Sequence, residues 1–149
     1  MDYSLKLELS SHPQLMGVVR SAVERFVSDV GFDQADARAI VLALDEALTN
    51  VIRHAYDNRY DRPIAVTLRR LEPANAVNGA SGIEFIVEDH GMSADPAKLR
   101  GRPLEEVRPG GLGVHLICEI MDSFRYEPSA TGNKMILRKL RGQKPSTGG

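Results

Sequence analysis

"LALDEALTNVIRHAY", residues 42–56, is the stretch whose reading decides the fold. Val41, Leu44, Leu48, Val51 and Ala55 recur at helical spacing, and Glu46, Asn50, Arg53 and Asp57 fall on the other side. A helix turns about 100° per residue, which puts Asn50 roughly 40° from Glu46 and Arg53 and Asp57 roughly 20° to either side of it. The segment therefore predicts a helix with one apolar stripe for a core and one polar stripe. A polar stripe of this kind is commonly just a solvated face. An acid and an amide one turn apart also suit the wall of a site. Asn50 offers an amide oxygen, a hard neutral ligand for Mg²⁺. Glu46 can take a proton from a hydroxyl or a water. Arg53 can lie beside phosphate charge. His54 points roughly 80° away from Glu46 and has no clear part in such a site.

The surrounding composition limits the alternatives. The chain has 149 residues, 42% hydrophobic and 26% charged, an ordinary balance for one domain with a real core. A formal net charge of -1 gives no field to draw it to nucleic acid or to an acidic membrane surface. Aromatic residues are 5% and Trp is absent, so base-stacking platforms are not expected. With Cys118 as the single cysteine, there is no intramolecular disulfide and no two-cysteine metal cluster. No apolar run approaches membrane-spanning length, and "MDYSLKLELS" lacks the layout of a signal peptide. A cytoplasmic protein is expected, with no direct nucleic-acid or membrane partner.

Outward from the central helix, Tyr3–Leu9 alternates like a half-buried strand. Apolar residues at helical spacing from Leu15 to Val30 predict a first helix, ended by Gly31. Asp33 can cap the second helix, which is expected to run to about Tyr56. Pro63–Leu71 and Ile83–Glu88 read as strands joined through the turn-rich "EPANAVNGASG". "DHGMSADPAKLRGRPLEEVRPGG" is a long connection without apolar periodicity, which in a compact domain is usually functional or disordered. Leu112–Met121 reads as a short apolar helix, and Phe124–Glu127 with Lys134–Leu140 as a closing strand pair. The order predicts an α/β (α+β) two-layer sandwich, a mostly antiparallel sheet with helices on one face, over residues 1–141. Residues 142–149 form a polar tail, expected to be mobile.

Two glycine-bearing stretches complete the candidate site. "GIEFIVEDHGMSAD" is an apolar strand running into Asp89 and Gly91. A carboxylate there can accept the exocyclic amine of adenine, and a glycine lets backbone approach a ring. The same letters also describe an ordinary Asp-x-Gly turn. "PGGLGVHLI" places Gly110, Gly111 and Gly113 before or within the start of an apolar helix. Backbone N–H groups at a helix start make a phosphate site, although a Gly turn into a core helix fits equally. It is neither a Walker A loop nor a dinucleotide fingerprint. Cys118 reads as core packing within that helix.

The order of these stretches resembles the GHKL ATPase superfamily. The likeness is strongest to its bacterial anti-sigma factor and serine-protein kinase branch. "DEALTNVIRHAY", "VEDHG", "PGGLGVHLICEIMDSFRY" and "GNKMILRK" carry it, spanning most of the chain from Leu42 to Lys139. The resemblance implies a Bergerat ATP-binding fold. By it Asn50 would hold Mg²⁺ and Glu46 would be the general base of phosphoryl transfer. Asp89 would bind the adenine amine and Gly91 would line the base pocket. Gly110, Gly111, Leu112 and Gly113 would wrap the phosphates, Met92–Pro109 would form an ATP lid, and Arg108 would either reach a phosphate or be solvated. The superfamily's second glycine is absent, Ser93 standing two places beyond Gly91. His54 is expected to be buried or networked.

The implied activity is an ATP-dependent serine/threonine protein kinase acting on a STAS-domain anti-anti-sigma partner. The implied partners are that protein and a sigma factor, with a homodimer expected. An ATP-liganded anti-sigma module without significant kinase activity is the alternative, and a stand-alone ATPase a third. Glu46 separates the first two, because a module that only binds needs no base there.

Overall fold

The computed structural model describes residues 3–72, 81–93 and 112–142. Arg108, Gly110, Gly111, nearly all of the proposed lid and most of the polar tail lie outside the described residues.

Strand β1 (Ser4–Ser10) leads through a short 3₁₀ turn (Pro13–Leu15) into α1 (Met16–Val30). Gly31 ends α1 in the left-handed conformation at φ 116°, and its N–H returns to the Ser28 and Val27 carbonyls. A residue without Cβ adopts that geometry without strain. Helix α2 (Gln34–Asn50) starts where Asp33 accepts the Asp36 N–H at 2.8 Å. Strands β2 (Pro63–Leu71) and β3 (Gly82–Asp89), helix α3 (Leu112–Ile120), and strands β4 (Ser123–Ser129) and β5 (Gly132–Leu140) follow.

The five strands lie in the order β1-β2-β3-β5-β4, with every pairing antiparallel. This is the two-layer α/β sandwich that the strand and helix order predicts. Ile64, Val66, Leu68, Ile83, Phe85, Val87 and Leu137 are buried beneath the helices. They meet Val23 and Val27 of α1, Ile40, Leu44 and Leu48 of α2, and Ile117 of α3 in one core. The helical stripe around residues 42–56 therefore does face the sheet, as its spacing requires.

The other sheet face is polar, with one buried charge at its centre. Glu84 is 2% exposed and lies between Arg69 at 2.9 Å and Arg138 at 2.5 Å. The register explains the cluster: Glu84 stands opposite Arg69 on β2 and Arg138 on β5.

The second helix departs from the expected straight run to Tyr56. Its α-helical ladder ends at Asn50, and Val51–Ala55 forms a π-turn. The Tyr56 N–H reaches the Val51 carbonyl at 3.0 Å and the Asn58 N–H the Ile52 carbonyl at 2.8 Å. Asp57 and Asn58 then adopt left-handed φ values of 49° and 59°, a conformation that Asp and Asn tolerate better than most residues. Asp57 is thus off the helix and does not share the Glu46 stripe. The wide turn rotates Tyr56 into the core, where its hydroxyl donates to the Pro63 carbonyl and accepts the His90 N–H at 2.8 Å. Single π-turns of this kind are frequent at functional sites.

Candidate functional site

The end of α2, the end of β3 and the start of β5 converge on one small cavity. Asn50, His54, Asp89, Met92, Tyr126 and Asn133 are among its lining residues. Each reaches it for a local reason. Asn50 is the last α-helical residue before the π-turn. Asp89 ends the central strand, and the register sets it opposite Asn133. Tyr126 lies on the neighbouring strand, beside Met135.

Asn50 is 6% exposed, so it does not belong to a solvated face. Its amide nitrogen is buried without a hydrogen-bond partner among the described residues. An unmade bond at a buried amide costs about 1–3 kcal/mol, which points to a site whose polar complement arrives from outside. Glu46, one turn earlier, is half-buried and makes no hydrogen bond or ion pair among the described residues. Arg53 is exposed.

Asp89 is 3% exposed. Burial pushes its carboxyl above the usual carboxylate range, and bonds from the Gly91 N–H and the Asn133 amide pull it partly back. Oδ1 accepts Gly91 N–H at 2.9 Å and Asn133 Nδ2 at 2.8 Å. Oδ2 has no partner among the described residues. Burial also raises the Tyr56 hydroxyl, so it stays a neutral clamp on the His90 backbone.

Gly91 is needed for a contact that the sequence does not disclose. A Cβ there would run into the Ala55 backbone and carbonyl oxygen. That carbonyl accepts the Met92 N–H at 2.9 Å. The Asp-x-Gly stretch is therefore seated on the π-turn of α2. Asn133, Tyr126 and Tyr56 were not singled out from the sequence. Asn133 lies in "GNKMILRK", one of the stretches that carry the resemblance, but nothing local marks its amide as a site residue.

Two expectations are corrected. His54 is exposed, lines the cavity, and makes no hydrogen bond among the described residues. Cys118 is exposed on α3 rather than in the core, since Val114 and Ile117 take the buried side of that helix and Met121 follows them just past its end. Partial burial still raises its thiol. Leu112 and Gly113 open α3, the helix into which the glycine stretch leads. No group of three His, Cys, Asp or Glu gathers as a metal cage among the described residues, and among them no helix is long and apolar enough to cross a membrane.

The two-layer sandwich, with a helix-end amide and a strand-end carboxylate on one cavity, belongs to a protein of the GHKL-like ATPase class, as a family match shows. Residues 9–139 match the family described as the histidine kinase-like ATPase domain, and the chain belongs to that family. Among curated relatives, it is 23% identical over 156 residues to the "Serine-protein kinase RsbW" of Bacillus velezensis, covering 99% of this chain and 92% of the relative. It is 29% identical over 140 residues to the "Anti-sigma F factor" of Clostridium novyi, covering 91% of this chain and 92% of that one. Among solved structures, the RsbU and RsbW domains of Rv1364c from Mycobacterium tuberculosis superpose with a TM-score of 0.62 at 18% identity. That match covers 93% of this chain and 32% of the other, and it supports the fold.

Proposed function

We propose that the protein binds ATP with Mg²⁺ and acts as an anti-sigma factor that phosphorylates a serine or threonine of a STAS-domain anti-anti-sigma partner. The observation that carries the reading is the pair of buried polar groups with unfilled capacity, Asn50 and Asp89, on one cavity. Relatives named serine-protein kinase and anti-sigma factor support the regulatory class.

In this reading Asp89 Oδ2 accepts the exocyclic amine of adenine, and the Asp89–Met92 backbone, seated on Ala55 through Gly91, forms a wall of the base pocket. Asn50 holds Mg²⁺ through its amide oxygen. An amide oxygen is a hard neutral ligand of the kind Mg²⁺ takes beside waters and phosphates, while the buried, unmet Asn50 Nδ2 has an N–H free to donate to an arriving oxygen. Mg²⁺, when bound, neutralises phosphate charge. Arg108, Gly110, Gly111, Leu112 and Gly113 supply charge and backbone N–H groups to the phosphates at the start of α3. The partner's hydroxyl oxygen forms the new bond to the γ-phosphorus as the bond to ADP breaks, and Glu46 takes the hydroxyl proton. Positioning and electrostatics carry most of such a transfer. The phosphate adds about -2 charge to the partner at pH 7, enough to break an interface and switch partners.

A second reading is an ATP-liganded anti-sigma module with little turnover; the relative named anti-sigma F factor supports the anti-sigma role that both readings share. Calorimetry with and without Mg²⁺ tests the shared nucleotide step. Wild type is expected to bind ATP, Asp89→Ala to lose binding, and Asn50→Ala to lose the Mg²⁺ dependence. Absence of ATP binding by the wild type would overturn both readings. Phosphate transfer to a STAS partner then separates kinase from module.

A further inference from the structure

Asn133 is 5% exposed and every hydrogen-bonding position of its amide is filled. Nδ2 donates to Asp89 Oδ1 at 2.8 Å and to the Met92 carbonyl at 2.9 Å, with the Gly91 carbonyl at 3.4 Å. Oδ1 accepts from Ser93 Oγ at 2.7 Å and from the Tyr126 hydroxyl at 3.0 Å. An amide has two N–H donors and one oxygen with two lone pairs. Nothing is left over for a ligand. Turning the amide over would set its oxygen against the Asp89 carboxylate and the Met92 carbonyl, so its orientation is fixed by its neighbours.

The consequence falls on Asp89. Its Oδ1 is held twice, by Gly91 N–H and by Asn133, so the carboxylate cannot rotate without breaking both bonds. A free carboxylate offers two oxygens side by side, which is the acceptor pair that the N1–H and 2-amino donors of guanine would use together. A carboxylate with Oδ1 consumed offers one oxygen in one direction.

We propose that Asn133 sets which purine the cavity takes: by consuming Oδ1 of Asp89 it leaves Oδ2 as a lone, immobile acceptor that matches the exocyclic amine of a 6-aminopurine and rejects a 6-oxopurine. The inference rests on the nucleotide reading above. A site built around one buried hydrogen bond discriminates strongly, because the wrong base leaves a buried polar group unpaired. Asn133 touches no base. It is a positioning residue, with Tyr126 and Ser93 holding it from behind.

The test is the preference for ATP over GTP, each measured by competition against a fluorescent ATP analogue, with melting of every variant recorded. Asn133→Leu keeps the approximate volume and removes the donor. It is expected to lower the ATP-over-GTP preference tenfold or more, with GTP gaining on ATP. Asn133→Thr retains one hydroxyl donor on a β-branched side chain that suits a strand, and is expected to restore most of the preference. Tyr126→Phe frees one side of the amide and is expected to fall between the two. Carbon-13 titration of Asp89 is expected to move upward in Asn133→Leu, because a donor to the carboxylate has gone. An Asn133→Leu protein that melts normally and keeps the wild-type preference overturns the inference while leaving ATP binding intact. Should Asn133→Leu fail to fold, Tyr126→Phe decides: a reduced preference upholds the inference and an unchanged one overturns it. A wild type that binds no ATP removes the nucleotide reading and this inference together.

Discussion

The Gly91 N–H lies 2.9 Å from Oδ1 of Asp89, a bond that closes the end of the central strand back on itself. It stabilises the carboxylate, while burial opposes it more strongly and raises the group above the ordinary range. A raised acid holds its proton more tightly folded than unfolded. That adds stability below the unfolded value, and the addition is lost as pH rises through the folded one. Nucleotide affinity runs the other way, since a protonated Oδ2 would face the adenine amine as a second donor. ATP affinity is expected to fall as pH is lowered through the raised Asp89 value, at higher pH than an ordinary carboxylate would give. Calorimetry across that range checks it, and Asp89→Asn is expected to abolish the pH-dependent step.

Gly91→Ala should be destabilising through the Ala55 carbonyl rather than through strain at residue 91 itself. Forced overpacking of this kind costs about 1–3 kcal/mol. Urea unfolding measures the loss, and ATP affinity is expected to fall with it because Asp89 is tied to the same turn. Unchanged stability would mean that the π-turn yields freely.

Asn50→Leu should separate stability from binding. The substitution removes a buried amide whose nitrogen has no partner among the described residues. The nucleotide-free protein is expected to gain roughly 1 kcal/mol, the low end of the penalty for an unmade buried bond. Mg²⁺-dependent ATP binding is expected to vanish. Melting without nucleotide and calorimetry with it read the two effects independently.

Glu46→Gln tests the proposed base. Phosphate transfer to the STAS partner is expected to drop by about 10²–10⁴, the usual contribution of a positioned base. ATP affinity should hold, because Glu46 makes no bond within the described fold whose loss would disturb it. Transfer at the wild-type rate would remove Glu46 from the mechanism.

On the far side of the sheet, Glu84→Ala leaves Arg69 and Arg138 without the carboxylate that stands between them. Both arginines are about half exposed, so solvent softens the effect. A loss of about 1–3 kcal/mol is expected from the orphaned donors, without change in nucleotide affinity. Urea unfolding with parallel calorimetry checks both parts.

The two-layer order, the strand and helix spacings, the Asp33 cap and the Gly31 stop were all written in the sequence, because periodicity and capping act within a few residues. Asn50 was legible as a candidate from its residue type and its place on the polar helix stripe, and Asp89 from its place at a strand end. Arg108, Gly110 and Gly111 rest on the sequence alone. Tertiary structure decided the rest. The π-turn after Asn50 ends the helix before Asp57, and its Ala55 carbonyl is the seat of Gly91 and Met92, a contact made across the fold. Packing of α3 through Val114 and Ile117 put Cys118 on the outside. The tie from Asn133 to Asp89 joins residues 44 apart in the chain. Only the pairing register of β3 with β5 brings such partners together, and no local pattern records a register set by the whole sheet.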